Sequence, residues 1–161
     1  MKRVQKILVA LVTCAVCAPA LANDDVQAIQ ALYQDYREAV EASSIDGYIA
    51  ILDDEVRMLP PGAPAIQGAA AYRDFLAPVF ATATYEIEII EPPRVDLVGE
   101  GVAVSEYVYI VVLTLKDEDV GISEPGALTE NRTTSRYFDV LRRNEDGAWR
   151  VWRHSWQTLP E

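Results

Sequence analysis

The chain has 161 residues, with 25 acidic side chains against 14 basic ones and a formal net charge of −11 at pH 7. This length allows one domain with a core of its own, and not two. Such an excess of negative charge repels phosphate backbones and anionic lipid heads. Binding to nucleic acid or to a membrane surface is therefore not expected.

The first 22 residues have the three parts of a secretory signal peptide. Basic residues are followed by an apolar run too short to span a bilayer comfortably, and residues 20–22 (Ala-Leu-Ala) form a small-residue cleavage site. We expect cleavage after Ala22, which leaves a mature domain of residues 23–161 in the periplasm. Cys14 and Cys17 both lie in the signal peptide, so the mature chain has no thiol for disulfides, catalysis or metal binding.

Three helices are predicted in the first half of the mature chain. The first is capped by Asp24 or Asp25 and runs to about residue 42, with Tyr33 and Tyr36 on an apolar face of three-and-four spacing. The other two are expected at 47–52 and 69–80. Between them lies a short strand, 56–59, which the turn at 60–62 (Pro-Pro-Gly) stops.

The second half of the chain changes to the period of two that is typical of strands. Strands are expected at 84–90 and 95–98, with a bulge or edge at Pro92-Pro93, and then at 102–115. Residues 116–129 are acidic, contain Gly and Pro and show no period, so we expect a mobile loop. Helices followed by strands predict an α+β fold in which helices pack on one face of an antiparallel sheet.

The chain is predicted to end in a β-hairpin, residues 137–143 and 148–157, around the turn 144–147 (Asn-Glu-Asp-Gly). If Gly147 adopts the left-handed backbone conformation of a three-residue turn, Asn144 pairs with Ala148. The resulting register places the only histidine of the chain on an aromatic face that packs on helices or lines a pocket. On this face Val140 is expected opposite Trp152, Phe138 opposite His154, and Arg136 opposite Trp156.

Two stretches carry a resemblance to a known family. Residues 53–62 (DDEVRMLPPG), with Gly68 and Phe75 after them, and residues 149–158 (WRVWRHSWQT) resemble the SnoaL-like branch of the nuclear transport factor 2-like superfamily, to which ketosteroid isomerases are also related. The resemblance covers nearly all of the mature chain. It implies a cone-shaped half-barrel with three N-terminal helices packed on a curved, mainly antiparallel sheet, and it implies a homodimer. It does not define the reaction, because this fold carries several chemistries.

The mechanism of ketosteroid isomerases can be compared with this chain by position. The tyrosine that donates to the oxyanion matches Tyr36, whereas the general base falls at Pro60 and the second acid falls near Arg136. Proline has no ionisable group and arginine stays charged, so neither can perform its step. Steroid isomerisation by that mechanism is therefore not expected.

His154 and Tyr36 are the candidate catalytic residues, as proton carrier and oxyanion donor. Structural alternatives remain open for both, since a lone histidine is often hydrogen-bonded in a pocket wall and buried tyrosines are often core residues. The parity of the long strand does not decide whether Glu106 or Tyr107 faces inward. The expected ligand-binding residues are Arg136, Phe138, Trp152, Trp156, Tyr33, Met58 and Tyr107.

The acidic cluster 53–55 lies at a helix end before a strand, so we expect a solvated junction rather than a cation site. No metal-ligand spacing and no cofactor motif is present. The sequence therefore predicts an exported domain that binds a small, mostly apolar molecule between the first helix and the sheet. Cofactor-free acid/base catalysis of isomerase, cyclase or dehydratase type is compatible with this prediction. The alternative is a non-catalytic homodimeric module with a filled pocket.

Overall fold

The computed structural model of the chain describes residues 18–160. Residues 1–17 of the predicted signal peptide lie outside the described residues, and the expected cleavage site falls within the first turns of the first helix. None of the helices in the described part is long and apolar enough to cross a membrane. The helices are α1 Ala18–Glu41, α2 Ile45–Ala50 and α3 Ala69–Thr82; the strands are β1 Leu52–Leu59, β2 Ile66–Gln67, β3 Ala83–Gly99, β4 Val102–Leu115, β5 Arg132–Arg143 and β6 Trp149–Thr158.

The six strands form one open, mixed sheet in the order β2-β1-β6-β5-β4-β3. All neighbours are antiparallel except β1 and β6, which are parallel. The predicted interruption at Pro92-Pro93 corresponds to two successive register shifts, between Ile89 and Glu91 and between Glu91 and Arg94, within a continuous β3. Such bulges bend a strand. The predicted α+β fold, with helices packed on the sheet, is confirmed.

The helices cover the inner face of the sheet, where the core lies. Tyr107 and Tyr109 of β4 are buried on this face, and the Tyr107 ring packs edge-on against Tyr33 of α1 with 5.0 Å between centroids. Glu106 is exposed and faces the other side of the sheet, where it pairs with Arg94. On β4 the tyrosines therefore face inward and Glu106 faces outward, which the sequence alone did not decide.

The turn of the terminal hairpin has the predicted geometry, but the predicted register beyond it is wrong. The Asn144 amide donates to the Ala148 carbonyl at 2.9 Å, and Gly147 has a φ of +81°. A register shift between Val140 and Leu141 then leaves Trp152 as an extra residue in β6. Because one inserted residue exchanges the two faces of a strand, every partner farther from the turn is offset. The observed pairs are Val140 with Arg153, Asp139 with His154, and Tyr137 with Trp156.

Candidate active site

The site is built around Asp139, a carboxylate that is 0% exposed in the middle of β5. Its Oδ1 lies 2.7 Å from Nδ1 of His154, its cross-strand partner on β6. Its Oδ2 accepts hydrogen bonds from the hydroxyl of Tyr33 on α1 at 2.8 Å and from that of Tyr107 on β4 at 3.0 Å. Residues of α1, β4 and β6 therefore form hydrogen bonds with one buried carboxylate of β5.

Both phenols that hold Asp139 remain protonated at neutral pH. Burial, and after it the negative charge of Asp139, raises the pKa of Tyr33 well above its usual value, and the same two causes raise the pKa of Tyr107. A phenol whose pKa is raised keeps its proton and can only donate to a carboxylate. The two tyrosines thus donate to the same oxygen of Asp139 and hold the carboxyl group in place.

The contact with Asp139 orients His154. A carboxylate accepts hydrogen bonds, so in the neutral ring the proton lies on Nδ1, and Nε2 carries the free lone pair. Among the described residues, Asp139 is the only side chain that forms a hydrogen bond with His154. The ring is fixed from the side by Tyr137 and Trp156, with centroid distances of 5.7 and 5.2 Å. Such a ring can accept a proton at Nε2 and hold it as an imidazolium beside a negative charge.

A cavity of about 80 Å³ lies beside His154, between the helices and the inner face of the sheet. Its wall is mostly aromatic and includes Tyr36 of α1 and Trp156 of β6. Two further groups in the wall, the indole nitrogen of Trp156 and the hydroxyl of Tyr85, are buried and have no hydrogen-bond partner within residues 18–160. Unsatisfied buried polar groups of this kind are rare in folded proteins, so these two are the first groups to test as ligand contacts.

Three other predicted site residues, Tyr33, Tyr107 and Met58, are buried but do not line this cavity. Tyr33 and Tyr107 line a narrow gap of about 10 Å³ on the Asp139 side of His154, and Tyr36 borders both spaces. Met58 is fully buried on β1, where it pairs with His154 across the parallel strands. Burial raises the pKa of Tyr36 well above its usual value, so its hydroxyl also stays protonated.

Three predicted pocket residues lie outside the cavity, and the bulge at Trp152 is the reason. Phe138 is 44% exposed and Arg136 is exposed, both on the outer face of β5. Trp152 packs under the guanidinium groups of Arg153 and Arg142, at 3.6 and 5.2 Å from its ring centroid. Placing these three residues in the pocket was therefore wrong.

Asp139 is the residue of the candidate site that the sequence analysis did not predict. Both faces of β5 offer apolar residues, Tyr137 and Leu141 on one side and Phe138 and Val140 on the other, so parity alone does not select the inner face. A signal was present in β6, where the apolar positions change parity between Val151 and Trp156, as a bulge requires.

Of the acidic residues 53–55, which lie within β1, Asp54 and Glu55 are exposed as predicted, whereas Asp53 is not. Asp53 is 1% exposed and binds Arg142 of β5 through two hydrogen bonds of 2.5 Å, to Nε and to a terminal nitrogen. The Glu55 amide also donates to Asp53, at 2.8 Å. The prediction failed because the partner of Asp53 is far away in sequence. Within the described residues no cluster of three or more His, Cys, Asp or Glu side chains has the arrangement of a metal site.

The family model for the SnoaL-like domain matches residues 33–154, so the chain belongs to the SnoaL-like domain family. This match runs from Tyr33 to His154 and so contains Asp139 and its three hydrogen-bond partners. No curated protein matches the chain by sequence.

Solved structures show the same fold. A candidate aromatic ring hydroxylase from Novosphingobium aromaticivorans is 24% identical over 86% of this chain and 92% of its own, with a TM-score of 0.70. A candidate scytalone dehydratase from the same organism is 16% identical over 88% of each chain, also with a TM-score of 0.70. A nuclear transport factor 2-like superfamily protein from Salmonella enterica serovar Typhimurium is 16% identical over 87% of this chain and 94% of its own, at 0.70. At these identities the likeness establishes the fold of the superfamily and not the activity.

Proposed function

We propose that the chain is an exported domain that binds a small, mostly apolar organic molecule between α1 and the sheet and transforms it by cofactor-free acid/base chemistry. The reaction is of isomerase, cyclase or dehydratase type. The observation that carries the proposal is the pair of Asp139 and His154 beside a cavity, since a buried carboxylate that fixes an imidazole is an arrangement suited to proton transfer.

In this proposal Nε2 of His154 removes a proton from a carbon of the ligand. Asp139 stabilises the imidazolium that forms, while Tyr33 and Tyr107 keep the carboxylate in place. The negative charge that develops on a ligand oxygen is stabilised by donors in the cavity wall, from Tyr36 or from Trp156. The imidazolium then returns its proton at another position, or to a leaving group.

The cavity wall restricts the ligand. Its described lining holds no Asp, Glu, Lys or Arg, so a charged ligand would lose its hydration without gaining an ion pair. The unpartnered donors of Trp156 and Tyr85 favour a ligand that carries acceptor oxygens. We therefore expect a neutral molecule with an apolar ring or chain and at least one such oxygen. The similarity to a candidate scytalone dehydratase supports a dehydratase-type reaction, though only through the fold.

The proposal is tested by native mass spectrometry of the mature protein from the envelope fraction of its own host. We expect a chain that begins at Asn23 and carries a small molecule released only under harsh desolvation. That molecule then identifies the class of compound to assay. A full-length chain in the cytoplasmic fraction would contradict export.

The role of the histidine is tested by turnover of any substrate so found. His154→Gln removes the base, and turnover should be lost. Ser155→Ala is the matched control, because Ser155 is the next residue of β6 and its hydroxyl donates to the Phe138 carbonyl, away from the cavity. Unchanged turnover in His154→Gln would remove the histidine from the mechanism.

We propose in addition that two copies associate through the outer face of the sheet. Phe138 is exposed on this face, where it pairs with Glu106 of β4 and Ser155 of β6, and the half-buried pair of Val104 and Val140 lies beside it. Arg136 forms no ion pair within residues 18–160. A two-fold interface can bring this cation against an acidic side chain of the second copy.

Sedimentation velocity tests this association. Phe138→Glu should convert a dimer to a monomer, because it replaces an exposed apolar ring of the interface by a carboxylate opposite Glu106. Val120→Glu is the matched control, since Val120 is similarly exposed but lies in the loop between β4 and β5. A wild-type monomer at micromolar concentration would contradict the proposal. The non-catalytic alternative, a dimer with a filled pocket, is weakened by the cavity beside His154 and Tyr36.

A further inference from the structure

The loop between β4 and β5 separates two spaces. Its residues 126–128 (Gly-Ala-Leu), here named the cover segment, line the inner cavity of about 80 Å³ on one side. On the other side they line an outer cleft of about 580 Å³, whose wall also includes Pro61, Asn131 and Thr158. Three residues of one loop therefore belong to the walls of both spaces.

The loop is fixed to the rest of the domain at its ends and by apolar contacts between them. The Lys116 amide donates to the Thr82 carbonyl and the Leu113 amide to the Asn131 carbonyl, both at 2.9 Å. Between these anchors the described backbone hydrogen bonds stay within the loop, as in the bond from the Ala127 amide to the Glu124 carbonyl. Segments held by so few hydrogen bonds open at a lower free energy than the global unfolding of the domain.

Gly126 allows the closed position of the cover segment. Its φ is +87°, and a Cβ built on it would lie 2.6 Å from the Cβ of Pro60 and 3.0 Å from the Cβ of Ala63. Any other residue would therefore meet both a backbone conformation that L side chains rarely adopt and a steric clash with the turn after β1. The close approach of the loop to this turn depends on the missing side chain.

We propose that the cover segment is a lid over the cavity, and that a ligand reaches His154 from the outer cleft when residues 126–128 move away from Pro60. The inner cavity is too small for most ring compounds. When the cover segment moves away, the cavity and the outer cleft join into one space that is large enough for such a ligand. The lid rests on one part of the proposed function, namely that the ligand binds in the inner cavity. Opening requires the loss of apolar contacts by Ala127 and Leu128 and of no backbone hydrogen bond to the rest of the described domain.

Access to the cavity can be measured without knowing the ligand, because His154 is the only histidine of the chain. Diethyl pyrocarbonate is a small neutral reagent that acylates accessible imidazole nitrogens. Its rate of reaction with His154 is followed by mass spectrometry of the peptide that contains this residue. In the folded wild-type protein we expect a rate far below that of a free imidazole.

Gly126→Ala should raise the rate of acylation about fivefold or more, because the clash and the strained backbone favour the open lid. Gly62→Ala is the control for strain alone, since Gly62 has a φ of +70° but a Cβ there meets nothing within 4 Å. Gly121→Ala is the control for a change in the same loop, with equally free space. Circular dichroism and urea unfolding of each variant establish that the domain stays folded.

A lid predicts acceleration in Gly126→Ala and little change in both controls. Equal rates in all four proteins would overturn the proposal, as would equal acceleration in Gly62→Ala. A wild-type rate equal to that of free imidazole would overturn it too, because the cavity would then be open already. These results do not depend on turnover, so failure of the lid and failure of the proposed chemistry are distinguishable.

Discussion

Two carboxylates in the described part of the chain are almost completely buried, and they are stabilised in different ways. Asp53 on β1 is bound by Arg142, a cation that keeps its charge at every pH at which proteins fold. Asp139 on β5 is bound by two phenols and by His154, whose charge changes when it gains or loses one proton. The ion pair of Asp53 and Arg142 connects β1 to β5 and does not depend on the gain or loss of a proton by the arginine. The arrangement of Asp139 and His154 can accept and release a proton, which is what acid/base chemistry requires.

The largest effect expected from this difference is on catalysis. Asp139→Asn preserves the size of the side chain but no longer fixes the Nδ1–H form of His154, so turnover should fall by about 10³- to 10⁴-fold. Steady-state kinetics on a substrate found with the wild-type protein measures it. Asp53→Asn is the matched control and should leave turnover within a few-fold, provided that the variant is folded. Equal losses in the two variants would remove the functional distinction between the carboxylates.

The next effect is on stability. Arg142→Met leaves Asp53 buried without its cation, and the free energy of unfolding should fall by about 2–4 kcal/mol, measured by urea unfolding. Because Arg142 is partly exposed and its charge is screened by solvent, we expect a loss in the lower part of this range. Arg57→Met is the control, because Arg57 is exposed on β1 and forms no ion pair within residues 18–160. A loss in Arg142→Met no larger than that of the control would mean that the pair with Asp53 contributes little.

The pH dependence of stability sharpens the comparison. Burial by itself would raise the pKa of Asp53, but hydrogen bonds from Arg142 and the Glu55 amide outweigh it, so the pKa lies below the usual 3.8. A depressed pKa in the folded state adds stability that is present above the unfolded pKa and is lost as the pH falls through the folded one. Asp53→Asn should therefore be less stable than wild type at pH 7 and should lose less on acidification below about pH 4.

Urea unfolding of both proteins at a series of pH values checks this prediction. Parallel curves for wild type and Asp53→Asn would show that another carboxylate is responsible for acid unfolding.

The smallest effect concerns single hydroxyl groups. Tyr33→Phe removes one donor to the buried Asp139 and should lower the free energy of unfolding by about 1–2 kcal/mol. Tyr85→Phe removes a buried hydroxyl that has no partner, so stability should be unchanged or slightly higher. Thermal unfolding of the two variants side by side measures the difference. A loss in Tyr85→Phe as large as that in Tyr33→Phe would indicate that Tyr85 is hydrogen-bonded in solution.

Local signals in the sequence were sufficient for most of the fold. The Pro60-Pro61-Gly62 turn, the change of period after Ala83 and the hairpin turn ending at Gly147 each predicted an element that is present. The two-residue strand β2 was missed, because Ile66 and Gln67 pair with β1 through tertiary context and carry no periodic pattern of their own.

The site was predicted only in part, because its key contacts join residues far apart in the chain. His154 and Tyr36 could be selected from residue type and position, and both line the cavity. The role of Asp139 depends on a one-residue bulge in β6, which exchanges the two faces of β6 and so brings His154 opposite Asp139 on the inner face. When both faces of a strand carry apolar residues, as in β5, the alternation in the sequence does not show which face lies against the helices. The pairing partner of Asp53 was hidden for a related reason, since 89 residues separate it from Arg142.

The most direct test of the account is the tautomer of His154, read from the two ring nitrogens in a long-range ¹H–¹⁵N NMR spectrum of the ¹⁵N-labelled protein. With one histidine in the chain, the spectrum contains one set of ring signals and needs no further assignment. At a pH where the ring is neutral, we predict a protonated Nδ1 and an unprotonated Nε2, and a shift towards the opposite form in Asp139→Asn. A neutral ring protonated on Nε2 in the wild-type protein would contradict the proposal that Asp139 prepares His154 to act as a base.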